Sequence, residues 1–74
     1  MMAEQEALVV ELMEAVRNIL MARLGRHALR VEGGSLIVTV GAEHASAWIP
    51  EITNVNLQAR AIAKEIESLL TEDE

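Results

Sequence analysis

A glycine pair near the middle of the chain, Gly33-Gly34, separates two short runs of alternating apolar residues. Adjacent glycines accept the positive φ angles of a two-residue turn, so this pattern predicts a β-hairpin with strands at about residues 27–32 and 35–40. The register set by this turn brings one apolar face together, formed by Leu29, Val31, Leu36 and Val38. Because a lone hairpin is only marginally stable in water, this face must pack against other elements.

The segments on both sides of the hairpin are predicted to be helices. Residues 3–24 contain no glycine or proline, and their apolar residues recur at helical spacing over nearly half of the circumference before Gly25 ends the pattern. Residues 50–70 carry a narrower apolar stripe, typical of an amphipathic helix that begins at Pro50 or, with Asn54 as its N-cap, slightly later. We expect residues 41–49 to be a connection and residues 71–74 to be an acidic tail.

The order helix, hairpin, helix predicts an α+β fold (α-β-β-α), in which both helices cover one face of the hairpin in two layers. We expect residues 1–74 to form one small domain, and a chain of this length buries only roughly 60 to 65 % of its unfolded surface. There is no cysteine to supply a disulfide. The broad apolar arc of the first helix and the open hairpin edges therefore predict completion of the fold by dimerisation, through the hairpin edges or through the first helices.

The chain lacks the residue patterns of a catalytic or metal site. Zinc sites need three or four converging ligands, whereas the sequence has no cysteine and only two histidines, His27 and His44. No nucleophile motif or phosphate-binding loop is present. We therefore predict that the protein is not an enzyme and binds no cofactor, metal or small-molecule substrate. A site completed between two subunits around His27 or His44 is the remaining enzymatic alternative.

The charged residues are distributed unevenly along the sequence. The net charge is −6 and the pI about 4.8, which disfavours binding to nucleic acid and to anionic membranes. Four arginines nevertheless cluster in a segment without acids, namely Arg17, Arg23, Arg26 and Arg30. This basic segment predicts either contact with acidic helix faces of a partner or, as the alternative function, a regulator associated with nucleic acid.

Trp48 is the only aromatic residue of the chain. A single tryptophan among small residues is either a plug at the end of the core or an anchor at an interface. The apolar residues that we predict for a protein interface are Trp48, Ile49, Ile52, Val10, Met21 and Ile37. The predicted function is a non-catalytic protein interaction or assembly protein, acting as a homodimer, a larger homo-oligomer or a subunit of a larger complex. The acidic N-terminal segment and the lack of cysteine predict a cytoplasmic protein without membrane association.

Overall fold

The computed structural model describes residues 2–71, which form two helices and three strands in the order α1 (Met2–Leu24), β1 (Ala28–Glu32), β2 (Ser35–Val40), β3 (Glu43–Trp48) and α2 (Val55–Thr71). The predicted α+β class is confirmed, but the sheet has three strands in the order β1-β2-β3. Of the predicted acidic tail, Thr71 is the last residue of α2, and residues 72–74 lie outside the described part of the chain. Neither helix in this part is long and apolar enough to cross a membrane.

The first hairpin has the register that its glycine pair predicts. Glu32 pairs with Ser35 next to the turn, and the pairing continues in the antiparallel direction to Ala28. Gly33 and Gly34 have φ angles of 56° and 79°. Positive φ at both central positions is the geometry of a type I′ turn, which matches the right-handed twist of the flanking strands.

The prediction of a connection over residues 41–49 is wrong, because most of this segment is strand β3. The chain reverses through a second two-residue turn, in which Gly41 has a φ of 62° and Ala42 has a negative φ, as in a type II′ turn. Val40 therefore pairs with Glu43, and β3 runs antiparallel to β2. Two of the six residues of β3 are alanine, which has low strand propensity, so the pairing with β2 outweighs the local preference.

The hydrophobic core lies between the inner face of the sheet and the two helices. β2 is the central strand and contributes Leu36 and Val38, which are both fully buried. The other core residues come from α1, from β3, from the segment before α2, and from α2; they are Leu12, Val16, Leu20, Ala45, Ala47, Ile52, Ala59, Ile62, Ala63 and Ile66. No residue of the edge strand β1 is fully buried, since α2 packs mainly on α1 and β3.

The second helix begins at Val55 and not at Pro50. The side-chain oxygen of Asn54 accepts a hydrogen bond from the backbone N–H of Leu57 at 3.1 Å, which is the geometry of an N-cap. The side chain of Gln58 accepts hydrogen bonds from the two backbone N–H groups that precede the helix, both at 2.9 Å. Because these donors are bonded to side chains, the segment after Pro50 has a defined path without being helical.

Candidate interaction surfaces

One side of the sheet faces away from both helices, and no described element covers it. We call this side the outer sheet face. Alternation along the three strands gives its members, which are Ala28, Arg30, Glu32, Ser35, Ile37, Thr39, His44, Ser46 and Trp48. Its residues on the two edge strands are exposed, and those on the central strand β2 are half-buried. The sheet therefore presents a mixed polar and apolar surface, with the free edges of β1 and β3 at its sides.

Trp48 is the largest apolar group on the outer sheet face. It pairs with Ser35 at the end of β3, and its side chain is 69 % exposed, so it does not fill the core. The indole ring leans over the turn of the first hairpin, where a Cβ added to Gly34 would lie 3.2 Å from two of its carbons. The N–H of Ile49 donates a hydrogen bond to the carbonyl oxygen of Gly34 at 3.0 Å, which fixes the backbone beside the ring. Trp48 is thus exposed and held in place by the turn.

Replacement of Gly34 by alanine is expected to destabilise the protein more than the same change at Gly33. Both changes place a side chain at positive φ, which costs about 1 to 2 kcal/mol. Only at Gly34 does the new methyl group also meet the Trp48 ring, whereas a Cβ at Gly33 has no atom within 4 Å. Urea denaturation measures both losses. Trp48→Ala in the Gly34→Ala background should recover the excess loss, and equal losses for the two glycine variants would contradict the contact.

The second exposed apolar surface lies on α1. Val10 is 54 % exposed and Met21 is 49 % exposed. Both lie on the side of α1 that points away from most of its core residues. Glu14 and Arg17 lie between them on the same side, and both are exposed. The apolar arc of α1 is therefore wider than the surface that α2 and the sheet cover.

A groove of about 310 Å³ runs between α1 and β1. Its lining is formed by Val10, Met13, Glu14, Arg17, His27 and Leu29. His27 Nδ1 lies 3.0 Å from the carbonyl oxygen of Gly25, whereas its Nε2 is buried and has no hydrogen-bond partner among the described residues. The groove exists because α1 makes few contacts with β1, so the inner side of this edge strand is only partly covered.

The six apolar residues predicted for an interface occupy four environments. Ile52 is 3 % exposed and belongs to the core, which makes it inaccessible to a partner. Ile49 is half-buried and packs against the core. Trp48 and Ile37 lie on the outer sheet face, and Val10 and Met21 lie on α1. The structure thus provides two separate surfaces, which sequence reasoning alone did not distinguish.

The four arginines of the basic segment do not lie on one surface. Arg17 lines the groove beside β1, and Arg23 forms an ion pair of 3.2 Å with Glu67 of α2. Arg30 lies on the outer sheet face, 3.7 Å from the carboxylate of Glu32, while Arg26 is exposed after α1. A groove of about 650 Å³ between the helices gathers a different set of cations, Arg23, Arg60 and Lys64, together with Glu67. Arg60 and Lys64 are one helical turn apart, a spacing that can be read from the sequence, but the predicted basic segment does not include them.

The two histidines lie apart, His27 in the groove beside β1 and His44 on the outer sheet face. Within the described residues, no group of three or more His, Asp or Glu side chains is placed to hold a metal ion, and every fully buried side chain is apolar. No protein-family model matches the sequence, and no similar protein was found among the curated proteins or the solved structures. Function is therefore inferred from the two exposed surfaces.

Proposed function

We propose that this chain is a non-catalytic protein interaction or assembly protein, acting as a homo-oligomer or as a subunit of a larger complex. The observation that carries the proposal is Trp48, a large apolar side chain that is 69 % exposed on a sheet face without a covering element. Tryptophan is enriched among the residues that dominate binding energy at protein interfaces. Its contact with the Gly34 turn holds the ring in place, so binding orders it at a small entropic cost.

The surroundings of Trp48 have the composition of a small protein interface. Ile37 lies on the same face, two residues along β2 from the residue that pairs with Trp48, and it is half-buried by its neighbours. Charged and hydroxyl side chains surround this apolar pair, among them Arg30 and Ser46, which flank Ile37 on the adjacent strands. An apolar centre with a polar rim is the usual anatomy of a non-obligate interface. The partner expected here is a protein surface with a pocket for an aromatic ring.

Trp48→Ala is expected to weaken partner binding about 30-fold or more while the fold is retained, because truncation of a hot-spot residue removes about 2 kcal/mol of binding free energy. The matched control is Leu69→Ala, which removes a 44 % exposed apolar residue from α2, on the other layer of the fold. Wild type and both variants, immobilised at equal density, are used to capture proteins from extracts of the source cells. The captured protein is then purified and titrated against all three.

Equal binding of the partner by wild type and Trp48→Ala would contradict the proposal, as would loss of binding by Leu69→Ala alone. The nucleic-acid alternative has a different signature, namely retention on DNA or RNA that falls steeply with salt concentration and depends on the four arginines of the basic segment. Circular dichroism on every variant shows whether a lost contact results from loss of folding.

A further inference from the structure

A stripe of residues on the exposed side of α1 has the spacing of a coiled-coil seam. Steps of three and four residues alternate along it, which keeps the stripe on one side of the helix. We call it the α1 seam; its members are Ala7, Val10, Glu14, Arg17, Met21 and Leu24. All of them are exposed except Leu24, which is half-buried. Except for Leu24, which packs partly against the core, the seam residues lie on a different side of α1 from the core-facing residues, so they are available to a partner.

The α1 seam is complementary to itself when it is read in the opposite direction. A twofold axis between residues 15 and 16 places Val10 opposite Met21 and Glu14 opposite Arg17 of a second, antiparallel helix, and the same axis places Ala7 opposite Leu24. We propose that the α1 seam binds a second copy of this chain, giving a twofold-symmetric dimer with antiparallel α1 helices. This inference rests on the proposed function as an interaction protein and names one partner and its contact surface.

The charges at the centre of the α1 seam select the antiparallel arrangement. In that arrangement each Glu14 faces an Arg17, and the pair occurs twice across the axis. A parallel pair of helices in register would instead place Glu14 beside Glu14 and Arg17 beside Arg17, which costs several kcal/mol at an interface. Neither side chain forms an ion pair with any other described residue of its own chain, so both are available to a second copy.

The rest of α1 shows the same complementarity over a longer range. Its first half carries the exposed acids Glu6 and Glu11, and the basic residues Arg23 and Arg26 lie at and just after its C-terminal end. Antiparallel packing brings the acidic half of one helix beside the basic end of the other. It also makes the two helix dipoles run in opposite directions. The uneven charge distribution of the sequence thus supports a contact between copies.

The groove beside β1 explains how the apolar ends of the seam would be buried. Val10 forms part of the wall of this groove, and Met21 of the second copy lies opposite Val10. The unbranched methionine side chain adapts to irregular apolar spaces, and here it would cover Met13 and Leu29. The contact would exclude water from the inner side of β1, which the helices of the same chain leave partly open. Because the seam spans only about 26 Å of helix, we expect a reversible dimer with micromolar affinity.

Charge reversal at the centre of the α1 seam tests this proposal. Sedimentation equilibrium from micromolar to millimolar concentration is expected to show a dimer for wild type. Glu14→Arg and Arg17→Glu should each raise the dissociation constant about tenfold or more, because each places like charges at the axis. The double variant Glu14→Arg/Arg17→Glu exchanges the charges and should dimerise as wild type does. An equimolar mixture of the two single variants should form a heterodimer.

Two control variants show whether a change in dimerisation results from the α1 seam, from net charge or from the Trp48 surface. Glu65→Arg changes an exposed acid on α2 and alters the net charge as Glu14→Arg does, so it should leave the dimer unchanged. Trp48→Ala should also leave it unchanged, and circular dichroism checks the folding of every variant. Any one of four results would overturn the proposal. They are a wild-type monomer at all concentrations, unaltered dimerisation of both single variants, failure of the double variant to recover the dimer, and loss of the dimer in Trp48→Ala. If wild type is a monomer at all concentrations, partner binding that depends on Trp48 would still remain. The proposed function is therefore tested separately, by the binding experiment with Trp48→Ala.

Discussion

Leu36→Ala is expected to lower the free energy of unfolding by about 2 to 5 kcal/mol. Leu36 lies on the central strand β2 and is fully buried between the sheet and the helices, so its truncation leaves a cavity that the surrounding residues fill only in part. A domain of this length has a total stability of about 4 to 11 kcal/mol. The variant should therefore show a much lower urea midpoint and, at the upper end of the range, a substantial unfolded population in water.

The same substitution at an exposed leucine separates burial from residue type. Leu57 is 65 % exposed in the first turn of α2, and Leu57→Ala should change the free energy of unfolding by less than about 0.5 kcal/mol. Urea denaturation of both variants, followed by circular dichroism at 222 nm, measures the difference. Similar losses for the two leucines would show that β2 does not occupy the centre of the core.

Ala63→Leu is expected to destabilise the protein by about 1 to 3 kcal/mol, although it adds apolar volume and keeps a good helix-forming residue. Ala63 lies on the buried face of α2 and is 1 % exposed. Together with Ala59 it allows α2 to approach α1 and β3, and the inward residues of β3, Ala45 and Ala47, are also small. A leucine at this position has no space unless α2 moves away from these neighbours.

Ala61→Leu is the matched control for this overpacking, since Ala61 is exposed two residues earlier on the same helix. It should leave the urea midpoint nearly unchanged. Thermal unfolding of both variants checks the ranking independently. A gain in stability for Ala63→Leu, or a loss of equal size for Ala61→Leu, would contradict the close packing of α2 on α1 and β3.

The two proposed contacts use different sides of the molecule. Trp48 lies on the outer sheet face, whereas the α1 seam belongs to a helix on the opposite side of the sheet. A dimer formed through α1 would therefore leave both copies of Trp48 accessible. Two binding surfaces for other proteins on one dimer would increase the apparent affinity for a multivalent partner, which is a useful property in an assembly protein.

Local signals account for the parts of the fold that were predicted from the sequence. The pair Gly33-Gly34 determines its own turn type, and the turn determines the register from Glu32 and Ser35 onwards. Both helices follow from their 3.6-residue periodicity. The N-cap at Asn54 was recognised as one of two possible helix starts, and a hydrogen bond to the side chain of Asn54, together with two to that of Gln58, favours it over Pro50.

Other features depend on contacts between distant residues. β3 is a strand because β2 offers it hydrogen bonds, while its two alanines carry little strand preference of their own. Trp48 is exposed because its position in β3 places its side chain on the outer sheet face, and this position depends on the pairing of β3 with β2. Arg17 and Arg23 separate because they lie on different sides of α1, Arg17 beside β1 and Arg23 next to Glu67 of α2, whereas β1 places Arg30 on the outer sheet face.

The sequence by itself therefore determined the elements that arise from local periodicity and turn chemistry, namely the two helices and the first hairpin with its register. It also contains the reversed complementarity of α1, from Val10 and Glu14 to Arg17 and Met21. Only the tertiary structure decided which side of that broadly apolar helix is buried and which is exposed, because burial depends on where α2 and the sheet pack. Periodicity identifies an apolar face, but packing determines what covers it.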